Sequence, residues 1–283
     1  MRWTVLDAAL DSSGRSRGEE RGPGALRAAG LLAALGADDG GAVDARIDDA
    51  TRDPATGLIG AEQVRRAGRA IAAQVAAVRA AGRHPLVLGG DCTILLGVFL
   101  ALPPGSGLWF LDGHPDFYDG FGSATGEGAD MELSILTGHG PDLFDRAAPL
   151  VAPELVRLVG HRPPRDEEAR READRVDPRI PQLPAAELRR RGAGAVGREL
   201  AAEGAGPAWL HLDVDVLDPR VLPAVTYPEP DGLDWADLLA LTTPLVRSGR
   251  LLGMSVADLD VDGDPDGRYA RRLVEVLAAA LSP

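Results

Sequence analysis

The feature that most constrains the fold is an alternation of short apolar segments with longer alanine-rich ones along the whole chain. Short apolar segments bounded by Gly, Pro and Asp are typical of buried strands, whereas the longer segments have helical periodicity. Strands that alternate with helices form βαβ units, in which the strands run parallel and helices cover both faces of the sheet. The pattern therefore predicts an α/β fold, a three-layer αβα sandwich around a mainly parallel sheet of about eight strands.

Eight strands and four clear helices are expected. The strands are predicted at 2–7, 43–47, 85–90, 108–112, 155–160, 175–180, 208–215 and 251–258. The helices are predicted at 60–81, 185–203, 234–247 and 266–281. Asp234 and Asp266 are the expected N-terminal caps of the last two helices. Because neither a break in composition nor an internal repeat divides the chain, we predict one domain over 1–283.

Composition and charge limit the classes of partner. The chain has 43 acidic residues and 30 basic ones, all of them Arg, which gives a formal charge of −13. This charge would repel nucleic acid and favours a cationic small molecule instead. A single cysteine cannot form an internal disulfide. Because the N-terminus has no signal-like apolar segment and no apolar run is long enough for a membrane span, we expect a cytoplasmic protein without membrane contact.

Three predicted strands end in residues that can bind cations. The first ends in GGDC, which contains Cys92, the lone cysteine. The other two carry Asp or His at every second position, namely Asp112, His114 and Asp116 in DGHPD and His211, Asp213 and Asp215 in HLDVD. Alternate side chains of an extended segment point to one face, and ligands of parallel sheets bind at the carboxyl ends of strands. These groups are therefore expected to converge.

So many carboxylates need a positive counter-charge. The chain has no Lys, and the three motifs contain no Arg, so divalent metal is the simplest compensation. A set of about six ligands exceeds what one tetrahedral ion uses, and a carboxylate-rich set suits Mn²⁺ or a similar cation. The motifs together predict a pair of metal ions. Taken singly, either acidic motif could equally be an ordinary loop after a strand.

The motifs GGDC, DGHPD and HLDVDVLDP, in this order over 89–219, resemble the metal-binding signatures of the ureohydrolase superfamily. This superfamily includes arginases, agmatinases and formiminoglutamases, and its signatures usually read GGDH, DAHxD and SxDxDxxDP. The resemblance implies an arginase-like fold, two Mn²⁺ ions and a homotrimer or homohexamer. The ligands that it implies are Cys92, Asp112, His114, Asp116, Asp213 and Asp215. Among them Asp112 and Asp213 are expected to bridge the ions. Cys92 stands where the family usually has histidine, so the first site is expected to bind Mn²⁺ weakly or to hold another transition metal.

The implied reaction is hydrolysis of a linear guanidino compound. A hydroxide held between the ions attacks the guanidinium carbon, and the C–N bond breaks to release urea or a substituted urea and an amine. Asp116 is expected to accept a hydrogen bond from this nucleophile. Asp258, in the segment GMSVAD, stands where the family has a glutamate that holds the guanidinium. Its alternative role is that of an ordinary strand-end residue.

The loop after DGHPD departs from the family pattern, and the departures concern the substrate. The family usually has Asn and then Ser-Gly-Asn-x-His-Gly, which hold an amino-acid substrate and supply a histidine that shuttles protons. Here Tyr118 replaces the first Asn, Thr125 the Ser, Glu127 the second Asn and Ala129 the His. Tyr227 is expected near the mouth of the site. These replacements predict altered substrate contacts without the usual proton shuttle.

Several alternatives remain open at this point. His211 can act behind the metal ligands as a donor or shuttle, or it can be an ordinary structural histidine. Cysteine for histidine, DGH for DAH and the missing shuttle also resemble a smaller branch that includes hydrolases of N-hydroxyarginine, which makes such an arginine derivative the sharpest substrate candidate. Two other functions compete: a catalytically silent relative that serves in binding or assembly, and a cysteine hydrolase with Cys92 as the nucleophile.

Overall fold

A computed structural model describes residues 1–204 and 206–282. Residues 205 and 283, which the one-domain prediction includes, lie outside the described residues. Eight strands, numbered β1 to β8, span Trp3–Ala8, Asp38–Ala42, His84–Gly89, Gly107–Leu111, Val156–Val159, Gln182–Leu183, Ala208–Asp213 and Leu251–Ala257. They form one sheet in the order β2-β1-β3-β8-β7-β4-β5-β6, and all neighbouring strands in it are parallel.

The helices lie on both faces of this sheet. Within the described ranges they are numbered α1 to α10 and span Gly22–Ala28, Leu31–Leu35, Ala61–Ala80, Ile94–Ala101, Glu132–Leu136, Glu167–Ala173, Ala185–Arg191, Ala193–Ala202, Trp235–Val246 and Arg268–Leu281. Along β3, Leu86 and Leu88 pack into one apolar layer with α8, α9 and α10, whereas Val87 packs into the other with α3 and α4. This alternation at period two confirms the predicted αβα sandwich.

Three of the predicted helices form close to their expected bounds, and the fourth is interrupted. Gly192, with φ 85°, separates α7 from α8 where one helix was expected over 185–203. Asp234 caps α9 as predicted, because its side chain accepts the backbone N–H of Asp237. The cap predicted at Asp266 is wrong: the N-cap of α10 is Gly267, and Asp264 accepts the backbone N–H groups of the first turn.

Two predicted strands are wrong, for one physical reason. The segment 43–47 buries Ala45 and Ile47 but lies outside the sheet, and the actual edge strand β2 is the exposed DDGGA that precedes it. The segment 175–180 likewise buries Val176 and Ile180 without forming a strand, and β6 is only two residues long. Apolar patterning reports burial, whereas strand assignment requires backbone pairing with a neighbour.

The strand order brings the carboxyl ends of β3, β8, β7 and β4, which are followed by acidic residues, side by side. β4 follows β3 in the chain but lies three positions away in the sheet, and β8 and β7 fill the gap between them. Because all four strands run parallel, their carboxyl ends meet at one edge, which is where ligands bind in sheets of this kind. None of the helices in the described ranges combines the length and the apolarity that a membrane span requires.

Candidate metal centre

The ends of β3, β4, β7 and β8 each contribute a side chain to one buried point. Cys92 Sγ lies 3.0 Å from an Oδ of Asp213, 3.0 Å from an Oδ of Asp258 and 3.9 Å from an Oδ of Asp112. The turn that delivers Cys92 depends on Gly90, since a Cβ there would lie 1.9 Å from the carbonyl oxygen of Leu10. The expected convergence of the three motifs is therefore present in the structure.

The potential ligands form overlapping groups, two of which we name. Ligand atoms within 4.8 Å of one another define an inner group, which consists of Cys92, Asp112, Asp116 and Glu132, and an outer group, which consists of Asp112, His114 and Asp215. A third set links the sulfur of Cys92 to Asp213 and Asp258. Asp112 belongs to both named groups, and Asp213 lies beside both because its Oδ1 accepts the N–H of Asp215. All six predicted ligands are thus close together.

Hydrogen bonds compensate much of the charge in the outer group. His114 Nδ1 lies 2.7 Å from Asp215 Oδ2, and the backbone N–H of Gly113 donates to the other oxygen of Asp215. Burial opposes the protonation of His114, but the carboxylate of Asp215 outweighs it and raises the pKa of His114 to about 9. Burial alone would raise the pKa of Asp215, yet its contact with His114 lowers it below the usual range.

The inner group has less compensation, although Asp112 accepts the backbone N–H of His114. Burial, followed by the charge of Asp215, raises the pKa of Asp112 to about 8. Burial and neighbouring carboxylates raise the pKa values of Asp116 and Glu132 well above the ordinary range, and burial and Asp213 do the same for the Cys92 thiol. Buried carboxyls that disfavour one another's ionisation fit a site for cations. Oxygen donors with one imidazole and one thiol at this spacing fit a pair of divalent ions.

Two of the acidic residues occupy a backbone region that L-amino acids rarely adopt. Asp116 has φ 45° and Asp258 has φ 70°. Asp tolerates the left-handed region better than most residues, but the conformation still costs free energy unless the surroundings hold it. Strained residues of this kind cluster at functional sites, so the two positions are consistent with roles in the centre.

Sequence reasoning missed Glu132, the first residue of α5. Its side chain is 0% exposed, and its carboxylate faces the carboxyl of Asp116 without a basic partner among the described residues. The segment MELSIL offers one signal in hindsight, because Glu132 lies between Met131 and Leu133, which are both fully buried. A charged residue within an apolar helical turn is expected to have a partner, but the sequence does not identify it.

His211 contacts the sulfur from behind the centre. Its Nε2 lies 2.9 Å from Cys92 Sγ, and its Nδ1 lies 2.7 Å from Ser255 Oγ, which also accepts the indole N–H of Trp209. The Ser255 hydroxyl can donate to Nδ1 or accept from it, so the His211 ring can either donate to the sulfur or accept from the thiol. Burial lowers the pKa of His211 to about 3, which keeps the ring neutral.

A cavity of about 310 Å³ opens from the centre to the surface. The four predicted substrate-binding residues line it: Tyr118, Thr125, Glu127 and Tyr227. Sequence reasoning missed Arg17, which pairs with Glu127 and donates to the Tyr227 hydroxyl at 3.1 Å. Arg17 lies in the Gly-rich loop after β1, and no motif marks it in the sequence. Tyr227 is 48% exposed and forms the rim, as expected.

The cavity lining is strongly acidic. Its carboxyl residues are Glu19, Asp116, Glu127, Asp130, Asp166, Glu168, Glu172, Asp213, Asp215, Glu229 and Asp258. Of the described lining residues, only Arg17 and His114 are basic. Such a lining attracts cations and repels polyanions, in agreement with the charge of the whole chain.

Comparison with known proteins identifies the family. A sequence model of the Arginase family matches residues 2–282. The chain belongs to the arginase family. Human Arginase-1 is 28% identical over 276 residues, which are 88% of this chain and 82% of the human protein. The confirmed membership agrees with the resemblance of the three motifs and, at the level of the family, with the predicted enzyme class, a hydrolase of linear amidines.

Solved structures of arginase-family proteins have the same fold. The arginase from Bacillus cereus superimposes with a TM-score of 0.87 at 24% identity, covering 100% of this chain and 99% of that one. The agmatine ureohydrolase of Thermoplasma volcanium superimposes with a TM-score of 0.71 at 21% identity, covering 99% and 89%. These likenesses confirm the arginase-like architecture predicted for the chain.

Proposed function

We propose that this protein is a dinuclear-metal hydrolase that cleaves a C–N bond of a linear guanidino compound and releases urea or a substituted urea and an amine. One observation carries the proposal. Buried carboxylates, an imidazole and a thiol converge at the carboxyl ends of four adjacent strands, at the base of an acidic cavity. Membership of the arginase family supports the same chemistry.

The proposed ions are Mn²⁺, and they would be held by Cys92, Asp112, His114, Asp116, Asp213 and Asp215. Asp112 is suited to bridge them because it belongs to both the inner and the outer group. Asp213 is suited to do so because one oxygen faces Cys92 and the other faces the outer group. When bound, two divalent ions lower the pKa of a water molecule toward neutrality and so supply a nucleophile.

The residues around the ions orient the reactants and move protons. Asp116 lines the cavity and can accept a hydrogen bond from the attacking water. Asp258 also lines the cavity, where its carboxylate can pair with a guanidinium cation. Ala129 cannot act as the usual shuttle, but Glu172 can hold a proton near neutral pH, since burial raises its pKa to about 7. Its lining position suits donation to the leaving amine.

The mouth of the cavity supports an amino-acid derivative as substrate. Arg17 is held at the rim by Glu127 and Tyr227, and its guanidinium can bind an α-carboxylate. Glu127 and the neighbouring acidic side chains can bind an α-ammonium group. An arginine derivative such as N-hydroxyarginine carries both groups and a guanidino carbon at the far end. We further propose a cytoplasmic homotrimer or homohexamer, as the family resemblance implies.

Cysteine nucleophile chemistry finds no support in the site. Cys92 is 1% exposed and does not line the cavity, and burial raises the pKa of its thiol. A thiol of this kind is a poor nucleophile because only the thiolate attacks. Its contacts with His211, Asp213 and Asp258 instead favour a role as a metal ligand that does not touch the substrate.

A substrate screen tests the proposal. Purified protein loaded with Mn²⁺ is assayed with arginine, agmatine, guanidinobutyrate and N-hydroxyarginine, and release of urea or hydroxyurea is measured. We expect N-hydroxyarginine to give the highest kcat/KM. Absence of product from every compound, in protein that binds no divalent metal, would favour a catalytically silent binding or assembly subunit.

A further inference from the structure

The least satisfied polar group of the centre is the Glu132 carboxylate. It is 0% exposed, and among the described residues the only groups placed to pair with its oxygens are the carboxyl of Asp116 and its own backbone N–H. Burying an ionised carboxylate without a cationic partner is strongly unfavourable, so the group must be neutral or must face a cation. We propose that Glu132 is an additional ligand of the ion held by the inner group, an inference that rests on the dinuclear centre proposed above.

The position of Glu132 supports ligation. One of its oxygens lies within 4.8 Å of ligand atoms from Cys92, Asp112 and Asp116, which are three of the residues proposed to hold the metals. Glu132 begins α5, and the turns before and after it pack into the apolar layer, so the carboxylate has no route to solvent. No Arg donates a hydrogen bond to either oxygen of Glu132 in the described structure. A cation bound among these side chains would supply the missing partner.

The weak affinity of a thiolate such as that of Cys92 for Mn²⁺ explains why an additional carboxylate ligand would be needed. The soft thiolate of Cys92 binds Mn²⁺ less readily than harder donors do. A further carboxylate near the sulfur restores an oxygen-rich ligand set. Glu132 and Cys92 would then act together where a single imidazole serves in the usual signature.

The competing arrangement is a shared proton. Glu132 lies beside Asp116, and two neighbouring buried carboxyls can share one proton without binding a metal. Glutamine keeps the size and hydrogen-bonding capacity of Glu132 but removes its charge. Glu132→Gln therefore preserves a neutral packing role and weakens a ligand role.

The test is a titration of the metal-free protein with Mn²⁺. Binding is monitored by calorimetry and by the electron paramagnetic resonance signal of free Mn²⁺. We expect two ions per chain in the wild type. In Glu132→Gln one ion should bind with unchanged affinity and the other at least about tenfold more weakly, comparable with the loss of a strong supporting contact to a metal. Glu275→Gln is the matched control: that glutamate pairs with Arg272 on the exposed face of α10, does not line the cavity, and should leave both affinities unchanged.

A second variant and a second signal keep the result interpretable. Glu132→Asp retains the charge but withdraws it by one methylene, so its affinity should fall between those of the wild type and Glu132→Gln. In Co²⁺-loaded protein, the thiolate-to-cobalt absorption from Cys92 should weaken at limiting cobalt in Glu132→Gln. Circular dichroism establishes that each variant is folded.

The outcomes separate this inference from the proposed function. If Glu132→Gln and Glu132→Asp both bind two ions with wild-type affinity, Glu132 is not a ligand, while the dinuclear centre stands. If the wild-type protein itself binds no divalent ion, both the inference and the proposed function are wrong.

Discussion

The inner and outer groups share Asp112 but differ in how their charges are compensated. In the outer group, His114 is paired with Asp215, and the backbone N–H of Gly113 donates to the same carboxylate. In the inner group, carboxyls face one another and a thiol, and the pKa values of Asp116, Glu132 and Cys92 are all raised.

This difference indicates how each half is organised without metal. The outer group is held in place by its own hydrogen bonds and is prepared for an ion. The inner group depends on a cation, or on bound protons, for its stability. The outer group, which contains the usual motif residues, is thus stabilised by its own contacts. The inner group, in which Cys92 departs from the motif, is the one whose metal affinity and stability should respond most to substitution.

The largest effect is expected from Asp112→Asn, which removes the carboxylate common to both groups. Occupancy of both metal sites should fall, and kcat/KM should decrease by about 10³-fold or more, as when a principal transition-state interaction is lost. Steady-state kinetics and metal analysis measure the two effects. Asp234→Asn is the control, because Asn caps a helix as well as Asp does and the position is remote from the centre. Wild-type turnover in Asp112→Asn would exclude a shared role for Asp112.

Much of the centre could be predicted because its residues follow strands. Asp112 and Asp213 lie at the ends of strands whose apolar patterns are clear, and period-two alternation places their neighbours on a common face. Parallel strands then bring the ends together without further information. The sheet itself could be predicted for the same reason, since six of its eight strands are buried apolar runs with ordinary patterns.

The remaining features depend on tertiary packing that local patterns do not encode. The edge strand β2 is an exposed DDGGA segment, and only its pairing with β1 makes it a strand. Glu132 and Arg17 come from a short helix and a glycine-rich loop, whose side-chain directions follow from how those segments fold over the strand ends. His211 could be placed beside Asp213 by alternation, but its contact with Cys92 joins two different strands.

An intermediate effect is expected from replacing the sulfur of Cys92 with an imidazole. His211 fills space beside Cys92, so Cys92→His alone would crowd the site, which typically costs about 1–3 kcal/mol of stability. The double variant Cys92→His/His211→Ser relieves the crowding and offers Mn²⁺ a nitrogen ligand. We expect it to bind the inner ion about tenfold more tightly than the wild type, as measured by Mn²⁺ titration. His211→Ser alone is the control. Equal affinity in the double variant and the wild type would show that the thiol does not limit binding.

The most direct measure of the inner group is the pH dependence of stability without metal, which changes only gradually with each pH unit. Burial and Asp215 raise the pKa of Asp112 from 3.8 in the unfolded chain to about 8, so the folded state binds more protons than the unfolded state between these values. The free energy of unfolding should therefore fall as pH rises from about 4 to 8, by on the order of 1 kcal/mol per pH unit for such a group.

Urea unfolding in the presence of a chelator measures this slope. Saturating Mn²⁺ should flatten or reverse it, because metal binding displaces the protons and strengthens as pH rises. Asp112→Asn in the chelated protein should reduce the slope, whereas Asp234→Asn should leave it unchanged. If the metal-free wild type instead becomes more stable toward pH 8, the inner group is compensated by contacts within the protein, and the contrast with the outer group does not hold.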